Sequence, residues 1–247
     1  MRIAVAGGTG MVGAMVVDLA RAAGHEPVVL ARSVGVDVVT GAGLDEALAG
    51  VDAVVDVANI TTTNRDKAVA FFEATTRTLL EAGQRAGVRH HVALSIIGVD
   101  RVGFGYYQGK LWQEELALGG PVPGSVLRAA QFHEFPGQLI ERLATGPVMV
   151  VPSMQSQPVA AREVAAALVE LAAGEPVGMA PELAGPEVFT MPDLVRRVLR
   201  ARGSRKLVLP VRLPGAVGKA MVTGGCLPLE PGERGKQTFA EWLSERY

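Results

Sequence analysis

Three residues have the types and the spacing for proton chemistry. Tyr106 and Lys110, in the stretch GYYQGK (105–110), stand four positions apart. On a helix that spacing puts one above the other on a single face, while Tyr107 points about a quarter-turn away. Ser95 closes the run RHHVALSI (89–96), which reads as a strand. Its carboxyl end is where open α/β sheets bind their ligands. Reducing a carbonyl needs a hydride on carbon and a proton on oxygen. A tyrosine hydroxyl titrates near pH ~10, and lowering that by about 3 units takes about 4 kcal/mol. One ammonium about 4 Å away, at an effective dielectric constant near 20, supplies roughly that much. Lys110 is therefore expected to tune Tyr106 as proton donor, with the Ser95 hydroxyl holding the substrate oxygen. Tyr-x-x-x-Lys by itself is equally an aromatic ring packed on a helix beside a solvated lysine. The rest of the chain decides between these readings.

The positioning elements can be read from apolar patterning. Predicted strands are RIAVAG (2–7), EPVVLA (26–31), VDVVT (36–40), VDAVVDVA (51–58), RHHVALSI (89–96), GSVLRA (124–129) and PVMVVP (147–152). Between them lie predicted helices at 11–24, 43–50, 64–87, 106–119 and 135–146. The strands are continuous apolar runs, as expected when both faces of a sheet are covered. Strand and helix in alternation predict an α/β fold with a parallel sheet and right-handed crossovers. One connection is too short for that scheme. Only RSVG separates the strands predicted at 26–31 and 36–40, whereas a parallel crossover takes about a dozen residues. The strand at 36–40 is thus expected to be short or displaced to the sheet edge.

The stretch GGTGMVG follows the first strand and opens the first helix, with Gly7, Gly10 and Gly13 three apart. The first glycine permits a sharp turn, the second leaves room for a pyrophosphate against bare backbone, and the third lets helix and sheet pack closely. The helix N-terminus then offers N–H groups and a positive dipole end to phosphates. In this strand-to-helix context the motif predicts dinucleotide binding. An acidic residue after the second strand would grip the ribose 2′-hydroxyl of NAD. Arg32 and Ser33 stand there instead. A guanidinium at that point suits a 2′-phosphate, so NADP is favoured over NAD. Asp37 lies nearby but falls on the strand predicted at 36–40, and is set aside.

Composition narrows the classes. The chain has 247 residues, 49% of them hydrophobic, with a formal net charge of −1 and a single cysteine, Cys226. Balanced charge without a basic block argues against nucleic acid as a partner. One cysteine allows no internal disulfide and fits a reducing compartment. Gly, Pro or a charge interrupts every apolar run, so no membrane span is expected. The start MRIAVAGG has an apolar run too short for a signal peptide and reads as a buried strand. The expectation is a cytoplasmic protein, monomer or homodimer, acting on a small molecule.

Taken together, GGTGMVG, the VAN at 57–59 and LSIIGVD…YYQGK resemble the short-chain dehydrogenase/reductase family, most strongly over residues 1–135. The detail is similar to its atypical, NmrA-like branch, whose members carry GATGxxG loops and often an arginine after the second strand. The resemblance implies that Thr9, Gly10, Met11 and Val12 hold the pyrophosphate and that Ala58 and Asn59 flank the adenosine side. It implies a catalytic set of Ser95, Tyr106 and Lys110. RAAQF (128–132), with Ala129, would line the nicotinamide end. Ser95 and Tyr106 are 11 positions apart (106 − 95), a tighter gap than in the family's main branch. The implied fold is a Rossmann-like, doubly wound sheet in one NAD(P)-binding domain over 1–247, with a dinucleotide-binding core at 1–150. The rest, 151–247, would add one further strand, helices and a small substrate-binding lobe.

Within that lobe, AREVAAALVELAAG (161–174) is helical. TMPD (190–193) starts a helix expected to run to Arg202 and stop at Gly203, and RKLVLPVRLP is a short strand broken by proline. Thr238 and Glu241 make a capping pair. LPGAVGKAMVTGGCLP (213–228) suits a mobile cover over a pocket. Adjacent His90 and His91 point to opposite strand faces and do not suit one metal ion; surface or strand-end positions are expected. His133 is read as a substrate contact or a packed ring. Phe104, Phe132 and Phe135 suit either an apolar pocket or core packing. The leading function is an NADP-dependent oxidoreductase acting on a carbonyl, enone or quinone-like molecule. The alternatives are a non-catalytic sensor of the nicotinamide pool and a nucleotide-sugar epimerase or dehydratase.

Overall fold

The structure is a computed structural model that describes residues 1–143, 146–230, 232 and 234–247. Its first half alternates strand and helix: β1 (Arg2–Ala6), α1 (Met11–Ala22), β2 (Glu26–Leu30), α2 (Leu44–Ala47), β3 (Ala53–Asp56), α3 (Arg65–Ala86), β4 (His90–Ile96), α4 (Gly105–Gly119) and β5 (Gly124–Ala129). There follow α5 (Phe135–Leu143), β6 (Val148–Pro152), β7 (Gln155–Ser156), α6 (Ala161–Ala173), β8 (Gly178–Met179), β9 (Phe189–Thr190), α7 (Met191–Ala201), β10 (Leu207–Val211), α8 (Gly215–Val222) and α9 (Phe239–Arg246). The helix expected at 135–146 is α5; residues 144 and 145 lie outside the described residues.

The central sheet has six strands in the order β2-β1-β3-β4-β5-β8. Its fold class is α/β with a parallel sheet, as the patterning predicts. Ile3, Ala4, Val5 and Ala6 are fully buried, as are Ala53 and Val55, so the centre of the sheet is covered on both faces. The order reverses at β1: the chain goes out to β2, then returns to place β3 on the other side. That reversal opens a crevice at the carboxyl ends of β1 and β3. Register fixes what lies there. Ala6 pairs with Leu30 on one side and with Asp56 on the other, and Asp56 pairs with Ala93. Gly7, Ala31 and Val57 therefore leave the sheet along one edge, while β4 runs on past Ala93 to Ile96.

Two strand expectations need correction. Residues 36–40 form no strand. Asp37 N donates to Ala42 O at 2.9 Å and Val39 N to the Asp37 carboxylate at 2.8 Å, so the chain turns locally. The four-residue link leaves no room for a crossover, and Val36 is buried without joining a ladder. Residues 148–152 do form a strand, β6, but it pairs in parallel with β10 in a separate two-stranded sheet. The sixth strand of the central sheet is the two-residue β8. β10 also runs unbroken through Pro210, which a strand laddered on one side tolerates.

The chain divides into two compact units. One comprises 1–96, 104–128 and 162–181; the other comprises 97–103, 129–161 and 182–247. In the second unit, α7 is capped by Thr190, whose hydroxyl donates to the Asp193 carboxylate at 2.6 Å, and Gly203 follows its end at φ +65°. Thr238 and Glu241 form a complete capping box on α9. Residues 213–228 contain α8 and the buried Cys226. His133 is a packed ring, its Nε2 3.1 Å from Gln237 O and its face against Phe239 and Trp242.

Both β4 histidines open the strand at its end, as one expected position has it, but they are buried and not at the surface. They do face opposite ways. His90 sits between Gly174 O and Ser125 Oγ, at 3.2 and 2.8 Å. His91 lies on the Asp56 face, and its Nε2 has no hydrogen-bond partner among the described residues. Among the described residues no group of His, Cys, Asp and Glu is arranged to hold a metal ion. No described helix is long and apolar enough to cross a membrane.

Candidate functional site

The glycine loop is built by close approach. Gly7 leaves β1 at φ +77°, and a β-carbon there would lie 2.9 Å from Val57 O and 3.0 Å from the α-carbon of Ala58. Gly7 N donates to Leu30 O, and Gly10 N to Gly7 O, closing the turn. At Gly13 a β-carbon would lie only 2.1 Å from Gly7 O and 2.7 Å from the α-carbon of Gly8. Only a bare α-carbon lets the first turn of α1 sit against its own loop. Gly10 is the N-cap, with extended backbone and no side-chain cap, and no acidic residue occupies the first turn. The positive end of α1 thus carries no side chain of its own over Gly10. Thr9 and Met11 are exposed and Val12 is half-buried.

Arg32 and Ser33 begin a short 3₁₀ turn directly after β2, and both are exposed. The Arg32 guanidinium makes no ion pair among the described residues. Ala58 is buried under the loop, and Asn59 beside it is exposed. The Asp56 carboxylate holds this turn by accepting from Ala58 N at 3.0 Å.

The predicted catalytic residues fall at the same sheet edge, in the same unit, but their contacts differ from expectation. Ser95 lies two residues past Ala93. Ala93 packs with Ala117 of α4, so the period-2 alternation turns Ser95 toward the α4 face. Its Oγ is buried and has no hydrogen-bond partner among the described residues. Tyr106 starts α4, and its hydroxyl donates to Asn59 Oδ1 at 2.6 Å. Its ring meets Phe72 edge-on. Tyr107 is buried against Phe104.

Lys110 and the Tyr106 hydroxyl take different hydrogen-bond partners. The Lys110 ammonium turns inward, 5% exposed, and donates to Leu94 O and Gln113 Oε1 over the face of Phe72. Gln113 Nε2 in turn donates to Asp56 Oδ2 at 2.7 Å. Burial pulls the lysine down to about 8, with Asp56 and Glu114 resisting the fall. Burial raises the Tyr106 phenol above its ordinary value, and the Asn59 hydrogen bond only partly offsets this. The expected lowering of the tyrosine is thus reversed: the phenol is desolvated, and the ammonium is engaged elsewhere. Asp56 and Gln113 escaped the sequence reading. A carboxylate inside an otherwise apolar strand is the signal that was available, because burial of such a group demands a partner. Ala129 ends β5; it is buried, its carbonyl accepts from Ile97 N, and both residues are counted in the second unit. Phe132 and Phe135 belong to that unit, and Phe104 to the first.

Residues 3–99 match the NAD dependent epimerase/dehydratase family. Curated protein sequences show no match. Solved structures resemble the chain along its whole length at low identity. Citrobacter sp. triphenylmethane reductase, complexed with NADP(H), superposes with a TM-score of 0.75 at 17% identity, covering 100% of both chains. The UDP-N-acetylglucosamine 4-epimerase of Bacillus cereus gives 0.73 at 20%, covering 99% of this chain and 94% of that one. The UDP-glucose 4-epimerase of Thermus thermophilus, in complex with NAD, gives 0.70 at 18%, covering 99% and 93%. The fold of this chain is the Rossmann-like α/β fold of these NAD(P)-binding structures.

Proposed function

We propose that the chain is an NADP-dependent oxidoreductase of the short-chain dehydrogenase/reductase superfamily, in its NmrA-like branch, acting on a small carbonyl, enone or quinone-like substrate. The observation that carries this reading is the Ser95 hydroxyl, buried and unpartnered among the described residues at the carboxyl edge of the sheet, on the face that carries α4. A buried hydroxyl without a partner costs free energy, which a substrate oxygen hydrogen-bonded to it would recover. The glycine loop fits a dinucleotide: bare backbone at Gly7 and Gly13, and a helix N-terminus under Gly10 with no side-chain cap. Thr9 to Val12 would hold the pyrophosphate, Ala58 and Asn59 the adenosine side, and Arg32 and Ser33 a 2′-phosphate. A bound nicotinamide supplies or accepts the hydride. Ser95 then orients the substrate oxygen, and Tyr106 donates to it. The raised phenol keeps its proton through neutral pH, and a forming alkoxide is basic enough to take it.

Titration with NADPH and NADH, followed by turnover against a panel of carbonyls and quinones, tests the reading. Tyr106→Phe should lower turnover by about 10²–10⁴-fold and leave NADPH affinity nearly unchanged. A substrate reduced at the wild-type rate by that variant sinks the assignment. A second reading, a non-catalytic sensor, is favoured by the Tyr106–Asn59 bond and the inward lysine. It predicts NADPH binding with no turnover on any panel member. The epimerase reading draws on the family match over 3–99 and predicts tight binding of a nucleotide sugar.

A further inference from the structure

The inward lysine is held by an ordered chain of donors and acceptors. A lysine ammonium only donates, and an ionised carboxylate only accepts. Gln113 bridges the two with its carbonyl toward Lys110 and its amide nitrogen toward Asp56. Each end of the carboxamide can satisfy only the neighbour it faces. Asp56 therefore dictates which way Gln113 points, and Gln113 dictates that Lys110 meets an acceptor. The carboxylate itself is fully buried, and its other oxygen is taken by Ala58 N.

We propose that Asp56 and Gln113 are positioning residues for the site, with Asp56 fixing the orientation of the Gln113 carboxamide and Gln113 fixing the Lys110 ammonium at Leu94 O. The inference rests on the reading of Lys110 as a member of the active site. The other groups facing the ammonium are few. β3 supplies Asp56, and β4 supplies His91 close to that carboxylate. α4 supplies Glu114, which is held bidentate by Arg128 of β5 at 2.9 and 2.7 Å. α3 presents the Phe72 ring. Gln113 is thus the neutral link whose removal leaves every neighbouring charge in place.

The test is a lysine-selective NMR titration of the whole chain, with the Lys110 signal assigned by its loss in Lys110→Met. The wild-type signal should titrate near 8. Gln113→Met keeps the Asp56 charge but removes the acceptor, and should lower the midpoint by roughly one to two units. Gln113→Glu restores an acceptor and should return it to the wild-type value or above. Asp56→Asn still accepts from Ala58 N, but it presents an amide to Gln113 and invites the carboxamide to flip. It should lower the midpoint too, and combined with Gln113→Met should add less than the sum of the two shifts. An unmoved midpoint in Gln113→Met, or strict additivity in the double variant, overturns the proposal whatever the activity. Normal NADPH-dependent turnover in Lys110→Met would instead overturn the catalytic reading of the lysine and leave the titration result standing.

Discussion

Two glycines of the loop separate packing from ligand binding, because the structure gives them different room. At Gly13 an added methyl would sit 2.1 Å from Gly7 O, against an ordinary contact distance of 3.4–4 Å. The atoms it meets are backbone, so no side chain can rotate away. The start of α1 must retreat from the loop by about 1 Å, an overpacking strain worth about 1–3 kcal/mol. At Gly10 the corresponding contact is 3.2 Å, to one carbonyl, and the backbone there (φ −77°, ψ 172°) suits any residue. Gly10→Ala loses only a modest N-cap preference, under about 1 kcal/mol. For a chain of this length each kcal/mol moves the melting temperature by about 2–4 °C. Gly13→Ala should therefore melt several degrees lower and bind NADPH poorly. Gly10→Ala should melt within about 3 °C of wild type, on the same scale, yet lose NADPH affinity, since on the proposed reading its methyl would enter the space a pyrophosphate takes. Calorimetry and fluorescence titration on the same preparations give both numbers. If Gly13→Ala melts with the wild type, the close packing of helix and loop is wrong. If Gly10→Ala binds NADPH normally, the loop is a turn and not a phosphate cradle.

Two further outcomes follow from charge. Arg32→Asp should reverse the preference between NADPH and NADH, because it exchanges a 2′-phosphate ligand for a 2′-hydroxyl acceptor; comparative titrations showing no preference in the wild type refute the assignment of Arg32. Acid should destabilise the chain through His90 and His91, both lowered below 6.5 chiefly by burial. The unfolded chain takes up protons from about pH 6.5 downward while the folded one resists, so stability is intact above that pH and falls below it by up to about 1.4 kcal/mol per pH unit per histidine. Denaturant midpoints at pH 7.5 and 5.5 would show it, and His91→Leu should flatten the slope; an unchanged slope means the imidazole is not held neutral.

How much of this could be read without coordinates depended on whether the determining contacts were local. Gly7, Gly10 and Gly13 announce a turn, an approach and a packed helix within one short loop, and the Thr190 and Thr238 caps each reach a carboxylate three positions on. Those features were legible. The apolar run at 36–40 has strand composition, yet the short link before it forbids a crossover, and chain length won over propensity. The strand at 148–152 was visible as a strand, but its partner β10 comes from far along the chain, so its membership in a second sheet was not.

Tyr106 and Lys110 illustrate the boundary most clearly. Spacing of i and i+4 specifies a shared helix face, and nothing more. Where the lysine's long side chain goes depends on what lies beneath that face. Beneath it is Asp56, 57 positions from Gln113 in the chain, brought there by the pairing of β3 with β4 and the packing of α4 on Ala93. The strength of a charge on a phenol depends on their separation, and the spacing in the chain does not supply it. A third residue, Gln113, one turn further along the same helix, offers the ammonium an acceptor in the interior. An ammonium given the choice of a carbonyl, a carboxamide and an aromatic face is retained there despite its desolvation. The phenol, left beside Phe72, then takes Asn59 as its partner.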